Sequence, residues 1–273
     1  RRVLFRSMSK FVIILTDLDG TMVSHEDYSY GDLKQILIDL KAERTQYIVI
    51  PCTSKTELEV LKFGKDIGLN GPYIVENGGK IIPADRGLFS TFRDQFSVLF
   101  SQIEELLDSF PSHIRKSIKC LHEMSVTDIT QMTGLGDVDA ANAKNRKHSL
   151  VFGLAKEDDV LMEIEDLLKN TNYKITRGGR FFHMISRRDK AKAAQELIEW
   201  GLNKGLDGNF EVWAFGDASN DLSLLKMADK SAIITNVMVS QQHLISSLPR
   251  AYVSKKGAPA GWCESLEVFK SSV

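Results

Sequence analysis

Two acidic segments, far apart in the chain, contain residue types that can bind a cation and carry a covalent group. Asp17 and Asp19 follow an apolar run near the start of the sequence, and Asp217 and Asp221 follow another near its end. Carboxylates gathered at one site repel unless a cation neutralises them, and oxygen ligands suit a hard cation such as Mg²⁺. Of two aspartates just beyond a strand, one can be a nucleophile that carries a phosphoryl group, and the other a general acid and base.

A phosphoryl group also needs positive charge and hydrogen-bond donors. Its transition state spreads negative charge over the equatorial oxygens, which favours a lysine, a hydroxyl and backbone N–H groups nearby. Thr53 and Lys55 follow a second apolar run, and Lys190 opens a predicted helix. Each also has an ordinary explanation, because Thr53 can cap the next helix and either lysine can be a solvated surface residue.

Two glycine-containing turns are candidates for binding the rest of a substrate. Asn77, Gly78 and Gly79 have the chemistry of a hairpin turn, and their backbone N–H groups could also hold a carboxylate. The glycines at 178–179 likewise predict a hairpin turn. Arg180 at the edge of that turn offers a planar guanidinium that can bind an anion with two hydrogen bonds.

The elements that must position these residues alternate between strand and helix in the first and last parts of the chain. Predicted strands are 11–15, 47–51, 73–75, 212–215, 232–234 and 251–253. Predicted helices are 32–43, 56–67, 190–200, 222–227, 241–248 and a last one after residue 261. This alternation predicts an α/β fold with a Rossmann-like parallel sheet. Ligands bind beyond the carboxyl ends of such strands, so the polar segments should converge there.

The middle of the chain lacks this strict alternation. Predicted strands are 80–82, which should pair with 73–75, and then 114–121, 149–154, 173–176 and 181–186. Predicted helices are 92–110 and 156–169. We therefore predict a catalytic core at residues 8–86 and 188–273, interrupted by an inserted α+β cap at 87–187. Residues 1–7 are interpreted as an extension outside the fold.

Composition limits the class of protein. The chain has 273 residues, 43% of them hydrophobic and 26% charged, which is typical of a globular protein with a large core. A net charge of −1 does not favour a nucleic-acid or membrane-surface partner. No apolar run reaches the roughly 20 residues that a membrane helix needs. The three widely spaced cysteines favour a reducing, cytoplasmic compartment. Monomer and dimer both stay open.

The motif DLDGT after an apolar strand, together with GDASND late in the chain, resembles the haloacid dehalogenase superfamily of Mg²⁺-dependent phosphatases. The resemblance extends from residue 11 onward, and the insertion is similar to the superfamily's type II cap. It implies that Asp17 is the nucleophile and Asp19 the general acid and base. It also implies that Thr53 and Lys190 bind the phosphate.

The same resemblance implies a set of metal ligands. Asp17 and Asp217 would hold Mg²⁺ together with the backbone carbonyl of Asp19. Asp221 would support the metal directly or through water, and Asn220 would orient these groups and the substrate.

Shorter motifs are similar to the mannosyl-3-phosphoglycerate phosphatases, a family within that superfamily. They are TSKT at 53–56, ENGG at 76–79, MTGL at 132–135, GGRF at 178–181 and GAPAGW at 257–262. This resemblance implies a small phosphorylated glycosyl-glycerate as substrate and mannosylglycerate as product. Lys55 and Arg180 are, by their own chemistry, candidates for binding anionic groups of that substrate. Leu150 and Ala191 depart from the family pattern, which leaves the sugar open. The alternatives are a broad sugar-phosphate phosphatase on the same core and a catalytically silent binding module.

Overall fold

A five-stranded parallel sheet forms the centre of the molecule, in a computed structural model that describes residues 11–154, 157–177, 181–206 and 208–272. The strands of the described chain are β1 (Phe11–Thr16), β2 (Gln46–Pro51), β3 (Tyr73–Val75), β4 (Lys80–Ile82), β5 (Ile118–Cys120), β6 (Leu150–Leu154), β7 (Tyr173–Arg177), β8 (Phe182–Ser186), β9 (Phe210–Gly216), β10 (Lys230–Ile233) and β11 (Tyr252–Val253). The parallel sheet has the order β11-β10-β9-β1-β2. The predicted α/β fold class is therefore confirmed.

Some helices cover the two faces of this sheet, and the others pack in the insertion. The helices are α1 (Leu33–Ala42), α2 (Glu57–Ile67), α3 (Phe100–Asp108), α4 (Ser112–Ser117), α5 (Val126–Thr133), α6 (Asp137–Lys144), α7 (Glu157–Leu168), α8 (Lys190–Asn203), α9 (Leu222–Met227), α10 (Gln242–Ser247) and α11 (Ala260–Lys270). Within the described ranges, none of them combines the length and the apolar character that crossing a bilayer requires.

The apolar run of β1 is buried on both sides because successive side chains point to opposite faces. Val12 and Ile14 pack in one hydrophobic cluster, with side chains of α1 and α11. Ile13 and Leu15 pack in a second cluster, with side chains of α8 and α9. The carboxyl end of this strand, which is buried from residue 12 to residue 16, is thereby fixed, and the residues that follow it start from a rigid support.

A four-stranded antiparallel sheet with the order β5-β6-β8-β7 forms the predicted α+β insertion. Phe152 of β6 packs with α3, α4 and α7 on one face. Val151 packs with α5 and α6 on the other face. The prediction of an α+β module inside the chain is confirmed, while its exact limits, 87–187, stay a prediction.

Two predicted elements of the insertion are wrong in part. The helix predicted at 92–110 forms only over the residues of α3. The segment before α3 is not helical because the carboxylate of Asp94 bonds to distant groups: it accepts from the N–H of Ile81 at 2.7 Å and pairs with Arg188 at 3.1 Å. The strand predicted at 114–121 begins as α4, whose start follows Pro111, and becomes strand only in β5. The helices α5 and α6 were not predicted.

The turn between β3 and β4 joins the insertion to the core. The buried carboxylate of Glu76 accepts hydrogen bonds from the N–H groups of Lys147 (3.0 Å) and His148 (3.1 Å), and from the hydroxyl of Ser149 (2.7 Å). Gly79 lies against His148, where a Cβ atom would overlap the histidine side chain. One side of the turn thus holds a loop of the insertion.

The other side of the same turn packs on the start of α8. Gly78 has a φ of +98°, and a Cβ atom there would overlap the backbone of Asp189. Arg188 reinforces this contact, because its Nη1 donates to the carbonyl of Gly78 at 3.1 Å. The close approach fixes the position from which Lys190 starts.

We predict that Gly78→Ala lowers the free energy of unfolding by about 2 kcal/mol or more, because backbone strain at positive φ adds to the overlap with Asp189. Gly68→Ala is the matched control. Its φ of +74° is similar, but nothing lies within 4 Å of the added Cβ atom. It should cost about 1 kcal/mol, the strain of an L side chain in the left-handed region alone. Urea unfolding of both variants measures the difference, and equal costs would show that the contact with α8 contributes nothing.

Candidate active site

Three buried carboxylates meet at the carboxyl end of the parallel sheet. Asp17 directly follows β1, Asp217 directly follows β9, and Asp221 lies in the short turn that leads into α9. Side-chain oxygens of the three residues lie within 4.8 Å of one another. The topology therefore brings together three of the predicted metal-binding residues, across 204 positions of sequence between the first and the last.

Lys190, the first residue of α8, lies between two of these carboxylates. Its Nζ donates to Oδ1 of Asp17 and to Oδ1 of Asp221, both at 2.6 Å, and the side chain is almost completely buried. Burial alone would lower the pKa of this ammonium group, but the carboxylates of Asp17 and Asp221 outweigh that effect and raise it. Lys190 is therefore charged, and its helix places that charge at the centre of the site.

The charge in this site is unbalanced. Three carboxylates face one buried ammonium group and so outnumber it, although the imidazole of His25 also lies 3.7 Å from Oδ2 of Asp217. Burial raises the pKa of Asp17 well above its usual range; Lys190 opposes this rise, while Asp221 and Asp217 add to it. A divalent cation with oxygen ligands would offset the excess charge, and buried aspartates are suitable donors for Mg²⁺. The acidic trio can thus hold a metal ion.

Polar side chains that the sequence analysis missed hold Asp217 in place. Its two carboxylate oxygens accept from Oγ1 of Thr21 at 3.1 Å and from Nδ2 of Asn236 at 2.7 Å. Gln241 donates to its backbone carbonyl at 2.6 Å. Asp221 accepts from the backbone N–H of Asp217 at 3.1 Å. Asn236 follows the end of β10. Its position as a polar residue beyond the carboxyl end of a parallel strand is the signal from which the sequence could have indicated a site residue.

The carboxylate of Asp19 lies outside the acidic trio. Its Oδ2 pairs with Nζ of Lys55 at 3.0 Å, and Lys55 also lies 3.5 Å from Oε1 of Glu59. The other oxygen, Oδ1, is buried and has no hydrogen-bond partner among the described residues. The two aspartates of the DLDGT motif therefore have different partners. The carboxylate of Asp17 belongs to the acidic trio, and that of Asp19 pairs with the ammonium group of Lys55.

Thr53 is fully buried at the end of β2, beside the other polar segments. Its hydroxyl oxygen accepts from the N–H of Lys55 at 3.2 Å, and its carbonyl accepts from the N–H of Asn77 at 2.8 Å. The helix cap is supplied by Thr56, whose side chain accepts from the N–H of Glu59. Thr53 therefore shapes the turn after β2 without capping α2.

Asn77 and Asn220 connect the turn after β3 with the turn after β9. The Oδ1 of Asn77 accepts from Nδ2 of Asn220 at 3.2 Å, and Nδ2 of Asn77 lies 3.4 Å from Nδ1 of His183. Burial lowers the pKa of His183 well below its usual range, with the charges of Arg146 and Lys190 adding to the effect, so this imidazole is neutral. Gly78 and Gly79 serve close packing here, and the proposed carboxylate cradle stays a prediction.

A cavity of about 140 Å³ lies next to Asp19, between the core and the insertion. Its lining includes Asp19, Tyr28, Lys55, Leu135, Arg146 and His183. Leu135 belongs to the segment MTGL, and Arg146 is a cation that the sequence analysis did not select. Arg180, the predicted anion-binding residue, lies outside the described residues. The site thus has a buried acidic end and an adjoining chamber lined by the cations Lys55 and Arg146 and by the carboxylates of Asp19 and Glu59.

Two relatives share the name glucosyl-3-phosphoglycerate/mannosyl-3-phosphoglycerate phosphatase. The protein from Persephonella marina is 29% identical over 265 residues, which cover 93% of this chain and 96% of the relative. The protein from Methanococcoides burtonii is 30% identical over 229 residues, which cover 80% of this chain and 82% of the relative.

Solved structures share the fold. The sucrose-phosphatase of Synechocystis sp. PCC6803 has a TM-score of 0.64 at 16% identity, covering 96% of this chain and 98% of the other. A haloalkanoate-superfamily phosphatase from Bacteroides thetaiotaomicron has a TM-score of 0.66 at 16% identity, covering 97% of both chains. The family model for haloacid dehalogenase-like hydrolases matches residues 14–242. With this match and with both motifs at the end of one sheet, the chain belongs to the haloacid dehalogenase-like hydrolases.

Proposed function

We propose that this protein is a Mg²⁺-dependent phosphomonoester hydrolase that works through an aspartyl-phosphate on Asp17. The observation that carries the proposal is the contact of Lys190 with both Asp17 and Asp221, each at 2.6 Å, inside a buried acidic trio. A lysine among carboxylates at the end of a parallel sheet is suited to bind a phosphoryl group.

The proposed first step forms a bond between a carboxylate oxygen of Asp17 and phosphorus. The ester bond to the leaving oxygen breaks, and the carboxyl group of Asp19 gives that oxygen its proton. The unpartnered Oδ1 of Asp19 is the oxygen suited to this transfer, because Oδ2 pairs with Lys55. Lys190, Thr53 and backbone N–H groups stabilise the charge on the phosphoryl oxygens.

In the second step, Asp19 takes a proton from water as the water oxygen attacks phosphorus. The acyl-phosphate bond then breaks, which releases inorganic phosphate and restores the carboxylate of Asp17. Mg²⁺, when bound, supplies positive charge to the phosphoryl oxygens. Asp17, Asp217, Asp221 and the backbone carbonyl of Asp19 are the groups that would hold it.

The proposed substrate is a glycosyl-3-phosphoglycerate, with mannosyl-3-phosphoglycerate as the leading candidate. The names of the two relatives support this choice. The chamber beside Asp19 supports it as well, because Lys55 and Arg146 can attract a substrate that carries a carboxylate in addition to its phosphate.

A phosphate-release screen tests the proposal. Glucosyl- and mannosyl-3-phosphoglycerate, hexose phosphates and p-nitrophenyl phosphate are each incubated with enzyme and Mg²⁺, and again with EDTA. We expect release from the glycosyl-phosphoglycerates to be fastest and to stop with EDTA. Equal rates on the hexose phosphates would favour a broad sugar phosphatase, and no release from any substrate would favour a binding module.

We predict that Asp17→Asn lowers kcat at least about 100-fold, because an amide is a far weaker nucleophile and metal ligand than a carboxylate. Asp39→Asn is the control, since Asp39 is exposed on α1 and contacts Gln35. It should keep full activity. Steady-state assays and the melting temperature are measured for both. Residual activity of Asp17→Asn above about one percent in a clean preparation would contradict the covalent role.

We predict that Asp19→Asn accumulates a phosphoenzyme with p-nitrophenyl phosphate. The departing phenolate needs little protonation, so the first step continues, whereas water activation loses its base. Acid quenching followed by mass spectrometry should find one phosphoryl group on the peptide that contains Asp17. The double variant with Asp17→Asn and Asp19→Asn should carry no phosphoryl group. A label on a histidine or a serine would show that the assigned roles are wrong.

A further inference from the structure

Arg146 belongs to the insertion but is fastened to the core. Its Nη1 and Nη2 donate to the backbone carbonyl of Ser54 at 2.9 and 3.0 Å, and Nη1 also donates to the hydroxyl of Ser149 at 3.0 Å. Ser54 lies between Thr53 and Lys55, in the turn that we propose binds phosphate. The guanidinium group is therefore held directly beside the proposed phosphate site.

The Nε–H group of this guanidinium is buried and unused within the described chain. The Nε atom of Arg146 is buried and has no hydrogen-bond acceptor among the described residues, and the side chain is only 8% exposed. Buried N–H groups are nearly always paired, because an unpaired one costs free energy. Arg146 also lines the chamber beside Asp19, where a substrate could supply the acceptor.

The charges around Arg146 leave it better able to accept a new anion than Lys55. Lys55 already faces two carboxylates, those of Asp19 and Glu59, at 3.0 and 3.5 Å. The carboxylate closest to Arg146 is that of Glu76 at 3.8 Å, which already accepts three hydrogen bonds from residues 147–149. Glu76 thus fixes the loop that carries Arg146 without taking up its Nε–H group.

We propose that Arg146 is a specificity-determining residue that binds a carboxylate on the leaving part of the substrate. Glu76 acts as a positioning residue, because it holds the loop of Arg146 against the core. The planar guanidinium group matches a carboxylate, and its preorganised position means that little side-chain entropy is lost on binding. The inference rests on the proposed function, since it assumes that the acidic trio and Lys190 hold the phosphate of the same molecule.

Binding of two matched ligands tests this inference. 3-Phosphoglycerate and glycerol 3-phosphate differ only in a carboxylate that replaces a hydroxymethyl group. Calorimetry is performed in the Asp17→Asn background with Mg²⁺, so that no turnover occurs. We expect 3-phosphoglycerate to bind at least about 10-fold more tightly, as a charge-assisted hydrogen bond implies. Adding Arg146→Gln should remove most of this preference, with less than about a 3-fold change for glycerol 3-phosphate.

Further variants make the result specific. Arg146→Lys should keep a weaker preference, because it retains the charge without the planar fork. Glu76→Gln should reduce the preference in part. Arg187→Gln is the matched control, since Arg187, like Arg146, donates to backbone carbonyls, in its case those of Thr171 and Leu168, but does not line the chamber. It should keep the full preference, and melting temperatures verify that each variant is folded.

Three outcomes would overturn the inference. Equal losses for both ligands in Arg146→Gln would assign Arg146 to the phosphate or to the fold. Equal binding of the two ligands by the Asp17→Asn protein itself would show that the site does not recognise the carboxylate. Loss of the preference in Arg180→Ala but not in Arg146→Gln would give the role to Arg180. Failure of the proposed function is a separate result, because it shows as missing turnover of glycosyl-phosphoglycerates, whereas this test measures binding alone.

Discussion

Asp17, Asp217 and Asp221 are held against one another in a buried place, and the repulsion among their carboxylates constrains everything around them. The rigid strand β1 and the hydrogen bonds to Thr21, Asn236 and Gln241 keep the trio from relaxing apart. Lys190 compensates one charge, and a cation bound to the trio would compensate more of it. The charged groups of the site are thus fixed before a ligand binds, and a ligand of suitable charge would neutralise them. Such fixed charges are what electrostatic preorganisation requires.

The turn between β3 and β4 links this charged site to the insertion, and each of its residues has a separate contact. Glu76 holds the loop 147–149, Asn77 bonds Asn220, Gly78 packs on the start of α8 and Gly79 lies against His148. The position of Lys190 and the position of the insertion are therefore set by four consecutive residues. The proposed phosphate site and the loop of Arg146, proposed to bind the rest of the substrate, therefore share one support.

Much of this arrangement could be predicted from the sequence because its signals are local. The apolar runs of β1 and β9 end directly before Asp17 and Asp217, so both the strands and the convergence of the aspartates followed from the pattern. The non-helical conformation around Asp94, before α3, could not be predicted, since it depends on a partner, Arg188, that is distant in sequence. Arg146 was missed for the same reason: its contacts with Ser54 and Glu76 are made across the junction of core and insertion.

The pairing of β1 with β9 has a consequence for the order in which the molecule assembles. Phe11 lies opposite Phe210 in this pair and opposite Gln46 in the pair with β2, so β1 has one neighbour early in the chain and gains the other only near its end. The strands of the insertion all lie between Ile118 and Ser186, and their contacts close shorter loops. Short-range contacts form faster than long-range ones. The strands β5–β8 can therefore pair before β9 exists, so the nascent chain can form its insertion before Asp17 and Asp217 meet.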